Sequence, residues 1–157
     1  MIKFIFVLII IICFTYIGYS LSNYYRKRVV FFTECVSFCN SISLKINFSK
    51  SLLKELIDKQ IEICKSDLKD ILKEFLISYN LQNINAYYLS DDEKATVINF
   101  INDLGKFDCE NQLNQIEKCK KEFDCLLESS TKEKSKYAGL YLKIFFLIGI
   151  VISILII

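Results

Sequence analysis

The chain has 157 residues, 53% of them hydrophobic, with a formal net charge of +2, no histidine, no proline and four glycines. That length allows one domain rather than two, and so few turn residues argue against a β-rich fold. Without histidine no Ser/His/Asp or Cys/His arrangement can form, and no glycine-rich loop is present to cradle phosphate. Enzyme activity is therefore not expected, and no cofactor is implied.

Charge is segregated along the chain. Phe4 to Leu21 and Ile144 to Ile157 carry none, whereas all 18 acidic residues fall between Glu34 and Glu133. A bilayer core needs roughly 20 apolar residues in a helix, and residues 1–22 and 137–157 each supply them. Lys3 and Lys143 are close enough to the ends of these segments to reach the headgroups. Tyr16, Tyr19, Tyr24 and Tyr25, with Tyr137 and Tyr141, resemble an interfacial aromatic belt.

Arg26-Lys27-Arg28 follows the first span directly, and Lys132, Lys134 and Lys136 precede the second. Positive charge there resists export, which places the middle domain in the cytoplasm and both termini outside. A cleaved signal peptide ending at Gly18-Tyr19-Ser20 is the rival reading, but the basic cluster opposes it. Cys13 does not read as a lipoprotein site, because Ile10-Ile11-Ile12 precedes it where a small residue is required.

The middle domain, residues 23–136, reads as an all-α bundle. Asn23 to Ile46 continues the first helix, with Val29, Phe32, Val36 and Cys39 in one stripe and Phe31, Cys35, Phe38 and Ile42 in the next. Phe48 and Ser49 punctuate, with Ser49 capping a helix that carries Leu52, Leu53, Leu56, Ile57, Ile61 and Cys64. Ser66-Asp67 opens a third helix bearing Leu68, Ile71, Leu72, Phe75 and Leu76. Asn80 to Tyr88 reads as a loop. Ser90 and Glu93 form a capping box for a helix with Val97, Ile98, Ile101 and Leu104, which ends at Gly105 as its C′ residue. Asp108 caps a last helix bearing Leu113, Ile116 and Phe123, with no breaker before Gly139, so it can run straight into the second span.

Seven cysteines, an odd number with one in the first apolar segment, show no disulfide framework and fit a reducing compartment. Cys35 and Cys39 share a helix face, but with no histidine and no CxxC pair no metal site is expected. From Val29 to Thr131 there are 12 lysines against 17 acidic residues, a net of about −5. The six basic residues nearest the spans, Arg26, Lys27, Arg28, Lys132, Lys134 and Lys136, are expected to set topology and face anionic lipid. The acidic remainder is a solvated face or a docking surface for a basic partner. Nucleic acid is not an expected partner.

Several stretches resemble one family. The run from Gly18 to Val29, which includes Asn23 and Tyr24, is similar to the N-terminal signature of the stage III sporulation protein AB family of endospore-forming bacteria. Ile46-Asn47-Phe48-Ser49 leading to Leu52 and Leu53, and Leu104-Gly105-Lys106-Phe107-Asp108 with Gln112, are similar to its next landmarks. The lysine-rich entry into the C-terminal helix, with Tyr137, Leu140 and Gly149, completes the resemblance.

That family resembles the cytoplasmic helical domains of type II secretion inner-membrane platform proteins. The resemblance implies a structural part of a sporulation channel complex in the mother-cell membrane around the forespore. It also implies a cytoplasmic secretion-type ATPase and the channel's other membrane components as partners. Asn23, Tyr24, Gly105, Asp108 and Gln112 are then candidates for folding or for partner binding. The alternatives are a self-assembling pore and an exported, membrane-anchored interaction protein.

Overall fold

The computed structural model describes residues 2–44 and 50–156, with the side chains of 5–44 and 53–155. The expected end of the first helix at Ile46, the Phe48-Ser49 punctuation and the Leu52 side chain lie outside these residues. In chain order the elements are α1 (Ile2–Ser43), α2 (Lys50–Ile63), α3 (Leu68–Ser78), α4 (Asp91–Asn102), α5 (Cys109–Glu133), a π-helical turn (Lys134–Ala138) and α6 (Gly139–Ile156). Among the described residues every regular element is helical, as the composition predicts. The stretches Ile5–Ser43 and Cys109–Leu155 are long and apolar enough to cross a membrane, which fits a membrane protein.

The chain divides into two units, residues 1–29 with 129–157 and residues 30–128. In the first unit the two apolar helices pair. Among the α1 residues withdrawn from the surface, Val7, Ile11, Phe14, Gly18, Ser22 and Tyr25 follow one another at spacings of three or four. On α6 they are Leu142, Phe145, Gly149 and Ser153. Such a 3–4 alternation is the seam of a coiled-coil-like pair.

Glycine sets how close the pair comes. A Cβ added at Gly18 would lie 3.0 Å from Phe145 Cβ and 3.2 Å from the Leu142 Cα. At Gly149 it would lie 3.2 Å from Phe14 Cβ and 3.4 Å from the Ile11 Cα. Lipid tails are as apolar as the side chains, so helices in a bilayer associate through close van der Waals packing over small residues.

The π turn appears where α5 meets α6 in this unit. Ser130 and Ala138 are both buried and stand eight residues apart, whereas Ala138 and Phe145 stand seven apart. A π turn inserts one extra residue and restores the packing face after it. The helix does continue into the second apolar segment, but through this one-residue correction rather than straight.

In the second unit the core is aromatic and aliphatic. Phe31, Phe32, Phe38 and Ile42 from α1 are fully buried with Ile57, Leu68, Leu72, Val97, Ile101, Ile116 and Phe123. Phe100 meets Phe123 edge-on at 5.3 Å and Phe38 edge-on at 6.2 Å, an arrangement that the ring quadrupoles favour. Among the described residues of the expected stripes, Val29, Val36, Leu53, Ile61, Leu76, Ile98 and Leu113 are half-buried and the rest are buried.

The 79–90 connection between α3 and α4 is irregular, as expected of its asparagines, but it is core. Leu81, Ile84, Ala86, Tyr88 and Leu89 are all buried. A buried loop must find partners for its backbone. Here Leu81 N–H donates to Asn102 Oδ1 at 2.8 Å, and Asn102 Nδ2 donates to Leu81 O at 2.9 Å. The Ser90–Glu93 capping box forms with both of its bonds present.

Candidate functional site at the span boundary and the α4–α5 turn

Two groups of candidate residues come together, one in each unit. The first group lies where α1 and the π turn leave the apolar seam. Arg26, Lys132, Lys134 and Lys136 are exposed, while Asn23, Tyr24, Lys27 and Arg28 are half-buried. Arg28 points at protein: its Nη1 is 2.5 Å from Glu133 Oε2, with the side chains 15% and 36% exposed. A carboxylate of the same unit thus stands beside a guanidinium expected to face lipid headgroups. An acidic neighbour at Glu133 satisfies the guanidinium more directly than solvent-separated lipid does.

Aromatic rings close the same region. Tyr25 stacks on Tyr141 at 6.0 Å and meets Tyr137 at 5.7 Å, and Tyr24 approaches Tyr25 edge-on at 5.3 Å. Lys136 Nζ stands 5.0 Å over the Tyr137 ring. Four of the tyrosines read as a belt therefore form one cluster between the helices, whereas Tyr16 and Tyr19 are exposed. A ring cluster with a cation over it suits an interface that is apolar on one side and wet on the other.

The second group is the α4–α5 turn. The α4 helix stops at Asn102 with Asp103 as its C-cap, so Gly105 lies two residues past the cap rather than at C′. Its φ of +78° is a conformation that glycine adopts without strain. Gly105 N–H donates to Gln112 Oε1 at 2.9 Å, and Gln112 is 5% exposed. Asp108 accepts from Asn111 Nδ2 at 2.6 Å. This bond, with the Asn111 backbone bond, holds the Asp108 carboxyl below its usual value, as at a capped helix start. Gly105 and Gln112 are thus bound to each other, and Asp108 to the start of its own helix.

Gly105→Ala is expected to destabilise the second unit by about 1–2 kcal/mol, from backbone strain together with a 3.2 Å approach of the new Cβ to Leu53 Cδ2. Gln112→Ala is expected to lose a similar amount by stranding the Gly105 N–H. Denaturant melts of the two variants and of the double variant check this: sharing one bond, they should combine to less than the sum.

Sequence reasoning missed the residue that organises the α2–α3 turn. Glu34, on α1, accepts from Lys65 N at 2.7 Å, from Ser66 N at 3.1 Å and from Ser66 Oγ. Ser66 Oγ in turn accepts from Leu68 N at 3.3 Å, so the start of α3 is capped through a residue 32 positions away. Asp67 makes no cap bond and hydrogen-bonds Tyr88 instead. No local motif announces either arrangement; the one hint is that Glu34 is the single carboxylate of α1.

Four thiols are buried in the second unit: Cys35, Cys39, Cys64 and Cys119. Burial raises them all: Cys35 well up, Cys39 to about 12 and Cys64 to about 11, with neighbouring thiols adding to the first two. Among the described residues no group of three or more His, Cys, Asp or Glu could hold a metal ion. Thiols held neutral in a dry core are inert packing groups.

The sign of the pH effect follows. Below about pH 9 the thiol is protonated in folded and unfolded chain alike, and the stabilisation is complete. As pH rises from about 9 to about 12 the unfolded chain releases protons that the fold retains, so stability falls. The denaturation midpoint is expected to be flat from neutral pH to about 8.5 and to fall above it, with a shallower slope in Cys39→Val.

No curated protein and no solved structure matches the chain. A family model does, and its match runs from residue 3 to residue 157, through both units and both groups of residues just described. By that match the chain belongs to the family of stage III sporulation protein AB, and it is a sporulation protein.

Proposed function

We propose that this chain is a non-enzymatic platform of a secretion-like channel complex between mother cell and forespore. Its middle domain docks a cytoplasmic secretion-type ATPase, and its helical pair joins the channel's other membrane components. The observation that carries this reading is the tight pairing of the two apolar helices. Gly18 and Gly149 let each helix approach the backbone of the other, and two hydroxyls are satisfied by their own helices: Thr15 Oγ1 donates to Ile11 O at 2.7 Å and Ser153 Oγ to Gly149 O at 2.7 Å. The faces left outside are mostly Ile, Leu, Phe and Val, with Cys13, Tyr16, Tyr19 and Lys143 among them, and suit lipid or other spans. A water-filled conduit needs a polar lining, so this pair supports a scaffold over a self-assembling pore.

The same pairing supports retention of the first helix over export. Cleavage after Ser20 would remove Gly18 and the residues before it, which are half of the packed seam. The docking arm is tested by the full chain in nanodiscs against the purified ATPase over a range of salt. Binding that weakens with salt is expected, and absence of binding at any salt removes the ATPase from the reading. For topology, Cys109 and Cys125 are exposed reporters in the middle domain. A membrane-impermeant maleimide is expected to label them only after the cells are opened; labelling of intact cells would place the domain outside.

A further inference from the structure

Unit 2 carries a groove of about 510 Å³ between α2, α3 and the α4–α5 turn. Ile57, Phe75 and Leu104 form a buried floor, and Leu53 and Leu76 stand half-buried on its walls. Lys54 and Lys106 also line it, and among the described lining residues none is acidic. That is unusual here, because residues 30–128 hold 17 acidic residues against 12 lysines. Asp103 stands 3.5 Å from Lys106 Nζ, yet Lys106 remains 59% exposed. Lysine is thus placed at the mouth of the groove in a unit that is acidic overall.

Tyr79, on the same lining, adds an independent sign. It ends α3 with φ +53° and ψ +12°, the left-handed region in which glycine is the ordinary residue. Holding a tyrosine there costs on the order of 1 kcal/mol. The ring gains little burial in return: it is 69% exposed, touching Phe75 at 6.1 Å. A glycine would end the helix more comfortably, so the fold alone does not account for the tyrosine. Exposed tyrosines beside apolar pockets are the residues that carry binding energy at interfaces.

We propose that this groove binds an amphipathic helical segment of a partner protein, one that seats two or three apolar side chains on the floor and sets carboxylates beside Lys54 and Lys106. The volume lies in the range of built binding pockets, and an apolar floor with a charged rim is the helix-in-groove mode of recognition. Rim lysines select for acidic segments and against basic ones, and leave a salt dependence as their signature. The inference does not rest on the ATPase as the partner, because the chemistry of the groove defines the segment whichever protein supplies it.

The test uses the full chain in nanodiscs of zwitterionic lipid and two labelled peptides, each roughly four helical turns long. Both carry leucine at helical spacing; one has glutamate on its flanks and the other lysine. The glutamate peptide is expected to bind at least tenfold more tightly, with empty nanodiscs subtracted. Lys54→Glu with Lys106→Glu reverses the order, and Lys54→Arg with Lys106→Arg keeps it. Tyr79→Gly weakens the glutamate peptide about tenfold while the melting temperature holds or rises, which separates binding from folding. Equal binding of the two peptides, a preference that survives charge reversal, or a Tyr79→Gly variant that binds unchanged would each overturn the proposal. So would binding lost only where the chain self-associates, which gives the groove to a second copy.

Discussion

Gly18→Ala is expected to loosen the paired apolar helices by about 1–2 kcal/mol, and Gly18→Val by about 2–3 kcal/mol, as overpacking at a close helix contact does. The reason is geometric. The Cβ would meet Phe145 Cβ at 3.0 Å and two backbone atoms of α6 at 3.2 Å, and backbone cannot swing aside as a side-chain end can. Gly139, at the start of the facing helix α6, supplies the control, since a Cβ there meets nothing within 4 Å. Gly139→Ala is expected to be neutral or to stabilise slightly, because alanine favours the helix. The measurement is the distance between spin labels placed on α1 and α6 of the chain in nanodiscs. It should lengthen or broaden for Gly18→Val and stay unchanged for Gly139→Ala; equal behaviour of the two would show that glycine does not set the contact.

Glu34→Ala is expected to destabilise the second unit by about 3 kcal/mol. The carboxylate accepts two backbone N–H groups and one hydroxyl at the α2–α3 turn, and a hydrogen bond to a charged acceptor contributes about 1.5–3 kcal/mol net of its exchange with water. Water can reach the exposed Lys65 N–H, which keeps the total below the simple sum. Glu34→Gln retains one acceptor oxygen and should lose about half as much. Denaturant melts followed by circular dichroism read the difference, and hydrogen exchange at Lys65 and Ser66 locates it. Wild-type stability in Glu34→Ala would show that the turn is held by apolar packing alone. The loss matters for docking as well, since Leu53 and Ile57 on α2 and Phe75 and Leu76 on α3 line the groove.

The Arg28–Glu133 pair and the tyrosine cluster recast what the basic residues do. Six cations read as one class in the sequence, because each follows or precedes an apolar run. In the structure they differ: Arg26, Lys132, Lys134 and Lys136 are exposed, Lys27 is half-buried and Arg28 pairs with a carboxylate, with Lys136 also standing over a ring. A topology set by basic residues depends on the number of charges beside each span and not on what each one touches.

Local order was legible wherever one short stretch carries its own cause. The apolar runs announce α1 and α6, because length and lack of charge are properties of the stretch itself. Ser90 and Glu93 announce the start of α4, since both partners of the capping box lie within one turn. The apolar stripe from Phe31 to Ile42 announces a core face, because helical spacing repeats along the residues that make it.

Partners that are distant in sequence were decided by the tertiary structure alone. Glu34 caps a turn 31 and 32 residues away, Asn102 clasps a loop 21 residues back, and Gln112 holds Gly105 only because the turn between them folds back. The π turn belongs here too: a single extra residue between Ser130 and Ala138 has no mark in composition and becomes necessary only when both must be buried. The sequence by itself determined an all-helical chain with an apolar helix at each end, because those properties are additive along the chain. Which glycines are contacts, which cation is an ion pair and where a groove opens depend on what packs opposite, and that is settled only when the helices meet.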